Sequence, residues 1–239
     1  MPTTMTKDEV MRALEKMGTE QTKKTWLRHG AKGPVFGVKI GDMKTIEKKV
    51  KRDHKLAKEL YATGNCDAMY LAGLIADEKL VTKDELRQWL KQAPWHMISE
   101  YTVPWVAAES PHGLELALEW IDSKEEATAS AGWATLASLC IITPDDKLDL
   151  KLLGKLLKRV EKEIKKAPNR VKYTMNSFLM AAGQCVIPLT DTALAVADKI
   201  GKVEVDMGDT DCKVHVPSAY LRSMIERGML GRKKKRARC

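Results

Sequence analysis

Apolar residues return every three or four positions along most of the chain: Val10, Met11, Leu14 and Met17, then Ile46, Val50, Ala57 and Leu60, then Leu152, Leu153, Leu156, Leu157, Val160 and Ile164. That spacing is the period of an amphipathic helix. It predicts helices near 6–17, 19–29, 42–53, 54–63, 66–77, 82–92, 96–108, 111–122, 124–141, 148–166, 170–184, 190–200 and 217–227, which fusion of neighbours would reduce to nine to eleven. The start signals agree with the pattern. Thr6 with Glu9, Thr82 with Glu85 and Ser123 with Glu126 have the spacing of capping boxes, and Ser110-Pro111 places a cap before a proline. Gly18, Gly30 and Gly201 follow periodic runs, and Pro144, Pro168 and Pro188 separate others.

One stretch alternates with a period of two. Lys202 to Met207 and Lys213 to Val216 flank the turn residues Gly208, Asp209, Thr210 and Asp211, which predicts a small β-hairpin near 202–216. Otherwise the reading is all-α: many short helices with short connections stack more naturally as a HEAT-like helical-repeat superhelix than as a closed bundle. No strict internal repeat is visible. A single helical domain is expected over 1–228, with a disordered basic tail over 229–239.

Composition fits this picture. The 239 residues are 44% apolar, 31% charged and only 5% aromatic, so a sizeable core is affordable and helix is favoured over sheet. The longest apolar stretches are much shorter than the roughly 20 residues of a membrane span. With no hydrophobic leader either, a cytoplasmic protein is expected that does not bind membranes. The five cysteines, Cys66, Cys140, Cys185, Cys212 and Cys239, lack paired spacing and read as reduced thiols.

Charge separates the chain into zones. The net charge is +9, and most of the excess Lys and Arg lies in residues 1–60 and 147–180. Between Gln92 and Asp146 the only Lys or Arg is Lys124, against nine carboxylates. Two basic groups stand out as candidate phosphate contacts: Lys23, Lys24 and Arg28 near the N-terminus, and Lys155, Lys158, Arg159, Lys162, Arg170 and Lys172 in the second basic zone. A solvated helix face, or cations favouring a helix C-terminus, explains the same residues without any ligand. The apolar link Gly33-Pro34-Val35-Phe36-Gly37-Val38 has no phosphate-loop spacing. Asp206, Asp209, Asp211, Cys212 and His215 match no standard ligand pattern, so neither a metal nor another cofactor is expected. Nucleophile-elbow, zinc-protease and dinucleotide fingerprints are absent. Six tryptophans in so aromatic-poor a chain are mostly core, although Trp95, just after Pro94, stands where a ring can also face a groove.

Residues 22–50, the segment from Trp95 to Trp105, and the run Lys199-Ile200-Gly201-Lys202-Val203-Glu204-Val205-Asp206 through Cys212-Lys213 resemble the bacterial DNA alkylation repair family. Its best-known members are HEAT-like-repeat alkylpurine DNA glycosylases. The resemblance covers nearly the whole chain and implies a helical solenoid whose concave face cradles duplex DNA. It also implies a site made of a Trp, an Asp four residues later and an Arg on a following helix. Trp95 matches the first position, but Ser99 stands at the second, with Glu100 beside it. The third is missing, because no Arg occurs between Arg87 and Arg159 and the matching stretch reads Ser130-Ala131-Gly132-Trp133. The aromatic of a later helix is also absent near residues 179–182.

The expected function is therefore DNA binding by a monomer, on duplex that is damaged or branched. Excision of alkylated purines, with Trp95, Ser99 and Glu100 as the catalytic candidates, stands as one form of it. The alternatives are a non-catalytic scaffold for distorted or branched DNA, and a protein or RNA interaction scaffold.

Overall fold

Thr6 and Thr82 each accept a hydrogen bond from the main-chain N–H three residues on, and the carboxylates of Glu9 and Glu85 accept from the threonine N–H groups in return. Two predicted capping boxes therefore form, each satisfying first-turn donors. The computed structural model in which they are seen describes residues 5–238. Cys239, the last of the five cysteines, lies outside the described residues.

The third box does not form. Ser123 accepts from the Glu125 N–H, and the helix that follows starts at Glu126. Ser110 likewise donates to the carbonyl of Ala107 and closes the preceding helix rather than opening the next, which begins at Gly113.

Contacts divide the chain into two units. The first comprises the described part of Met1–Pro111 with Gly208–Thr210 and Arg238; the second comprises His112–Met207 and Asp211–Ala237. The sequence reading anticipated one domain across this span.

Seven α-helices build the first unit: α1 (Lys7–Met17), α2 (Glu20–Arg28), α3 (Ile40–Val50), α4 (His54–Tyr61), α5 (Cys66–Ile75), α6 (Lys83–Gln92) and α7 (Val103–Glu109). Every residue of α5 is buried, which makes it the central helix. Val10, Leu14, Met43, Ile46, Leu60 and Leu86 complete the core. Asp67, on α5, is buried and accepts from the N–H groups of Phe36 (2.6 Å), Gly37 (3.1 Å) and Val38 (2.9 Å). The apolar link after α2 is thus held from within by three of its N–H groups.

Before α7 the helix widens. Pro104 has no N–H for the carbonyl one turn back, at Glu100, and its ring would press on that oxygen. The chain takes up a π turn over Ile98–Thr102 instead, with the Val103 N–H reaching the Ile98 carbonyl. The turn lies against α5 at Gly73, where a Cβ would collide with the Thr102 side chain.

The second unit holds α8 (Gly113–Trp120), α9 (Glu126–Ile142), α10 (Leu150–Glu163), α11 (Asn169–Cys185), α12 (Thr190–Ile200) and α13 (Pro217–Glu226). Its core centres on Trp133 of α9 and Phe178 of α11, both fully buried, with Leu153, Leu157 and Val160 of α10 against them. Among the described residues no single helix is long and apolar enough to cross a membrane. The bent pair Asn169–Cys185 and Ile187–Ile200 qualifies by length and composition, turns through 117°, and supplies much of this core.

Two expectations change. No strand is found among the described residues, so the hairpin near 202–216 does not form. Side chains replace the missing ladder: Asn169 donates to the Asp206 carbonyl and accepts from the Asp206 N–H, both at 2.7 Å, and Asn176 donates to the His215 carbonyl at 3.0 Å. Extended backbone satisfied in this way needs no strand partner.

The tail is also ordered through Arg238. Within the second unit, Lys233 donates to the Cys140 carbonyl and pairs with Asp145, each at 2.8 Å, and the Lys234 N–H reaches the Ile141 carbonyl. These cover the last carbonyls of α9, where a cation is favoured. Within the first unit, Arg238 is buried, donates to the Ala76 carbonyl at 2.6 Å, and pairs with Glu78 at 2.9 Å and Glu109 at 3.0 Å. Composition alone misjudged the tail because its cations have specific acceptors.

Candidate nucleic-acid interface

α10 begins at Asp149, whose carboxylate accepts from the Leu152 N–H. Its leucines face inward, which obliges the intervening lysines to face outward. Lys155, Lys158 and Lys162 recur three or four residues apart along its exposed face, and Lys166 follows, also exposed, in the turn after the helix. None of the four has an ion-pair partner among the described residues. Lys165 and Lys172 border a neighbouring cavity of about 240 Å³.

Arg159 behaves differently. Its guanidinium pairs with Asp122 at 2.6 Å and Glu163 at 2.9 Å, donates to the Ile121 carbonyl at 3.3 Å, and lies 5.8 Å from the centre of the Trp133 ring. Partial burial disfavours the charged guanidinium, but Glu163 and Asp122 outweigh it and raise its pKa. Arg159 is thus a fixed wall rather than a mobile phosphate contact. Arg170 is similarly engaged: its N–H donates to Glu126 at 2.7 Å, and its guanidinium sits 4.5 Å from the Tyr173 ring centre.

Beside Arg159 opens a cavity of about 460 Å³. Lys124, from the loop before α9, meets Lys162 and Lys166 there, over apolar groups from Ala129, Val171 and Met175. Trp133 forms part of the wall, and its buried Nε1 has no acceptor. Lys124, Lys166 and Trp133 were not marked by the sequence as one site. They are distant in the chain, and only the ends of α9, α10 and α11 assemble them.

In the first unit, Lys24 and Arg28 are exposed on α2, and Lys23 is half-buried at 4.0 Å from Glu20. Trp95 is 6% exposed, and Ser99 and Glu100 are each 4% exposed. The Trp95 Nε1 donates to the His29 carbonyl at 2.8 Å, and its ring lies 5.5 Å from that of Trp26. The space beside this pair amounts to about 10 Å³. Ser99 and Glu100 lie in the π turn. Among the described residues no group of three or more His, Cys, Asp or Glu is placed to hold a metal ion.

These features define an all-α protein with a basic helical face. The sequence profile of the family described as DNA alkylation repair enzyme matches residues 10–200, and the chain belongs to that family. Two relatives are similar over nearly full length. Uncharacterized protein Lin0241 of Listeria innocua is 28% identical over 223 residues, 91% of this chain and 96% of its own. Uncharacterized protein Lmo0209 of Listeria monocytogenes is 27% identical over the same shares. A solved structure from "a new family of proteins related to the HEAT-like repeat DNA glycosylases with affinity for branched DNA structures" superposes with a TM-score of 0.91 at 38% identity, covering 98% of this chain and 100% of that one. The fold is therefore HEAT-like.

Proposed function

We propose that this protein binds branched or distorted DNA as a cytoplasmic monomer, gripping the phosphate backbone and leaving the bases in place. The observation that carries the reading is the row of lysines, without ion-pair partners among the described residues, formed by Lys155, Lys158 and Lys162 of α10 and Lys166 in the turn after it. Such cations displace counterions from a polyanion and read its shape without reading sequence. The 38%-identical structural relative, whose family is described by its affinity for branched DNA, supports the choice of branched substrate.

Recognition is favoured over excision by the state of the catalytic candidates. A glycosylase site must offer a negative charge to the cationic sugar and a ring to the displaced base. Trp95 instead spends its Nε1 on a main-chain carbonyl, and Ser99 and Glu100 are buried. Lys23, Lys24 and Arg28 provide a separate set of backbone contacts on α2.

Gel-shift titration with a four-way junction, a plain duplex and a single strand tests the binding, alongside an assay for release of 3-methyladenine and 7-methylguanine from methylated DNA. Tighter binding of the junction with no base release is expected. Equal affinity for junction and duplex would remove the branched preference, and base release abolished by Glu100→Ala would restore the excision reading.

A further inference from the structure

The cavity beside Arg159 is lined by two kinds of group. Lys162 comes from the last turn of α10, Lys166 from the turn that follows the helix, and Lys124 from the loop before α9. Three lysines without ion-pair partners among the described residues therefore line one cavity. Ala129, Val171 and Met175 add apolar lining. Arg159 lines it too, its guanidinium over the Trp133 ring and held by Asp122 and Glu163.

Charge favours an anion. Two carboxylates also line the cavity, but Glu126 accepts from the Arg170 N–H and Glu163 from Arg159. A volume of about 460 Å³ is that of a small-molecule site rather than of an ion site. An inorganic anion would use the lysines and leave the apolar lining wet. An apolar ligand would strand three charges. A ligand with a phosphate at one end and a flat ring at the other satisfies both kinds of group, because a guanidinium plane and apolar side chains are the surfaces on which an unpaired base is received. The buried Trp133 Nε1, still without an acceptor, points to an incomplete set of polar contacts in this lining.

We infer that this cavity binds one unpaired nucleotide of a DNA branch, its phosphate on Lys124, Lys162 and Lys166 and its base against Arg159 and the apolar lining. The inference rests on the DNA-binding reading and adds to it a fixed seat for the unpaired nucleotide. A branch that carries unpaired bases, such as a flap or a gapped junction, then offers this seat a base that a continuous duplex and a fully paired four-way junction do not.

The test follows the indole N–H signals of the isotope-labelled full chain by NMR while deoxyadenosine monophosphate is added, with deoxyadenosine and inorganic phosphate as separate titrations. The monophosphate is expected to shift the Trp133 signal and to bind about tenfold or more tightly than either fragment. A Lys162→Ala, Lys166→Ala double variant, altered only at exposed positions, is expected to lose that difference. If phosphate alone matches the nucleotide, the cavity is an anion site and the inference fails. If the nucleotide leaves the Trp133 signal unmoved while the protein still binds a four-way junction, the inference fails and the DNA-binding reading stands. Absence of both kinds of binding overturns both.

Discussion

The indole Nε1 of Trp95 donates to the main-chain carbonyl of His29 at 2.8 Å, across 66 positions of sequence. That bond turns the ring toward Trp26 and closes the end of α2 over it. Trp95, which the sequence suggests as a ring that could face a groove, is a core residue in this protein.

Replacing it therefore reports on stability. Trp95→Ala is expected to cost about 3–5 kcal/mol, as large-to-small core changes do, and Trp95→Phe less, because the apolar volume is largely kept. Urea denaturation checks both, and junction affinity of the folded Phe variant is expected to be unchanged.

Arg238 provides a second stability test. Its side chain is fully buried and meets Glu78 and Glu109, with Arg52 pairing to the same two carboxylates. Burial disfavours its charge, and Glu109 and Glu78 counter that only in part, so its pKa is lowered. Removing one partner of a buried charge group leaves the others uncompensated. Arg238→Ala is expected to destabilise the fold by about 3–5 kcal/mol. A loss under 1 kcal/mol would mean that the end of the chain is not fixed as described.

Acid sensitivity has an identified contributor in Glu85. Partial burial pushes its carboxyl up, but Lys58, the Thr82 main chain and His54 outweigh that and bring it from 4.5 to about 2. A depressed carboxylate pKa gives stability that is complete above the ordinary value and is lost as pH falls toward the folded one. The melting temperature is expected to fall as pH drops from 4.5 toward about 2, with a shallower fall in Glu85→Gln. Identical slopes in the two proteins would remove Glu85 from the explanation.

Thiol chemistry separates surface from core. Burial pushes Cys140 up to about 12 and raises Cys66 and Cys185, whereas Cys212 is exposed. A thiol-specific reagent at neutral pH is expected to label Cys212 quickly, and Cys66, Cys140 and Cys185 only after unfolding. Peptide mass mapping distinguishes them.

Most of the helical fold is legible in the sequence, because Thr6 and Thr82 cap locally and the leucines of α10 keep the period of a helix facing a core. Errors arise where distant partners decide. Period-two alternation from Lys202 to Val216 predicts a hairpin, yet Asn169 and Asn176 take the backbone bonds a second strand would have made. Lys233 and Arg238 read as tail cations until Cys140, Glu78 and Glu109 are brought to them. The Trp133 cavity was not legible, since its walls span residues 121–175 and no local motif joins them.

The most direct test is the salt dependence of four-way-junction binding, for the protein and for a variant with Lys155, Lys158, Lys162 and Lys166 changed to alanine. Affinity is expected to fall steeply with salt, each phosphate contact contributing about 0.9 to the logarithmic slope, and the variant to lose about three units or more of that slope. No junction binding at low salt, or a slope identical in the two proteins, would contradict α10 as the DNA-gripping face.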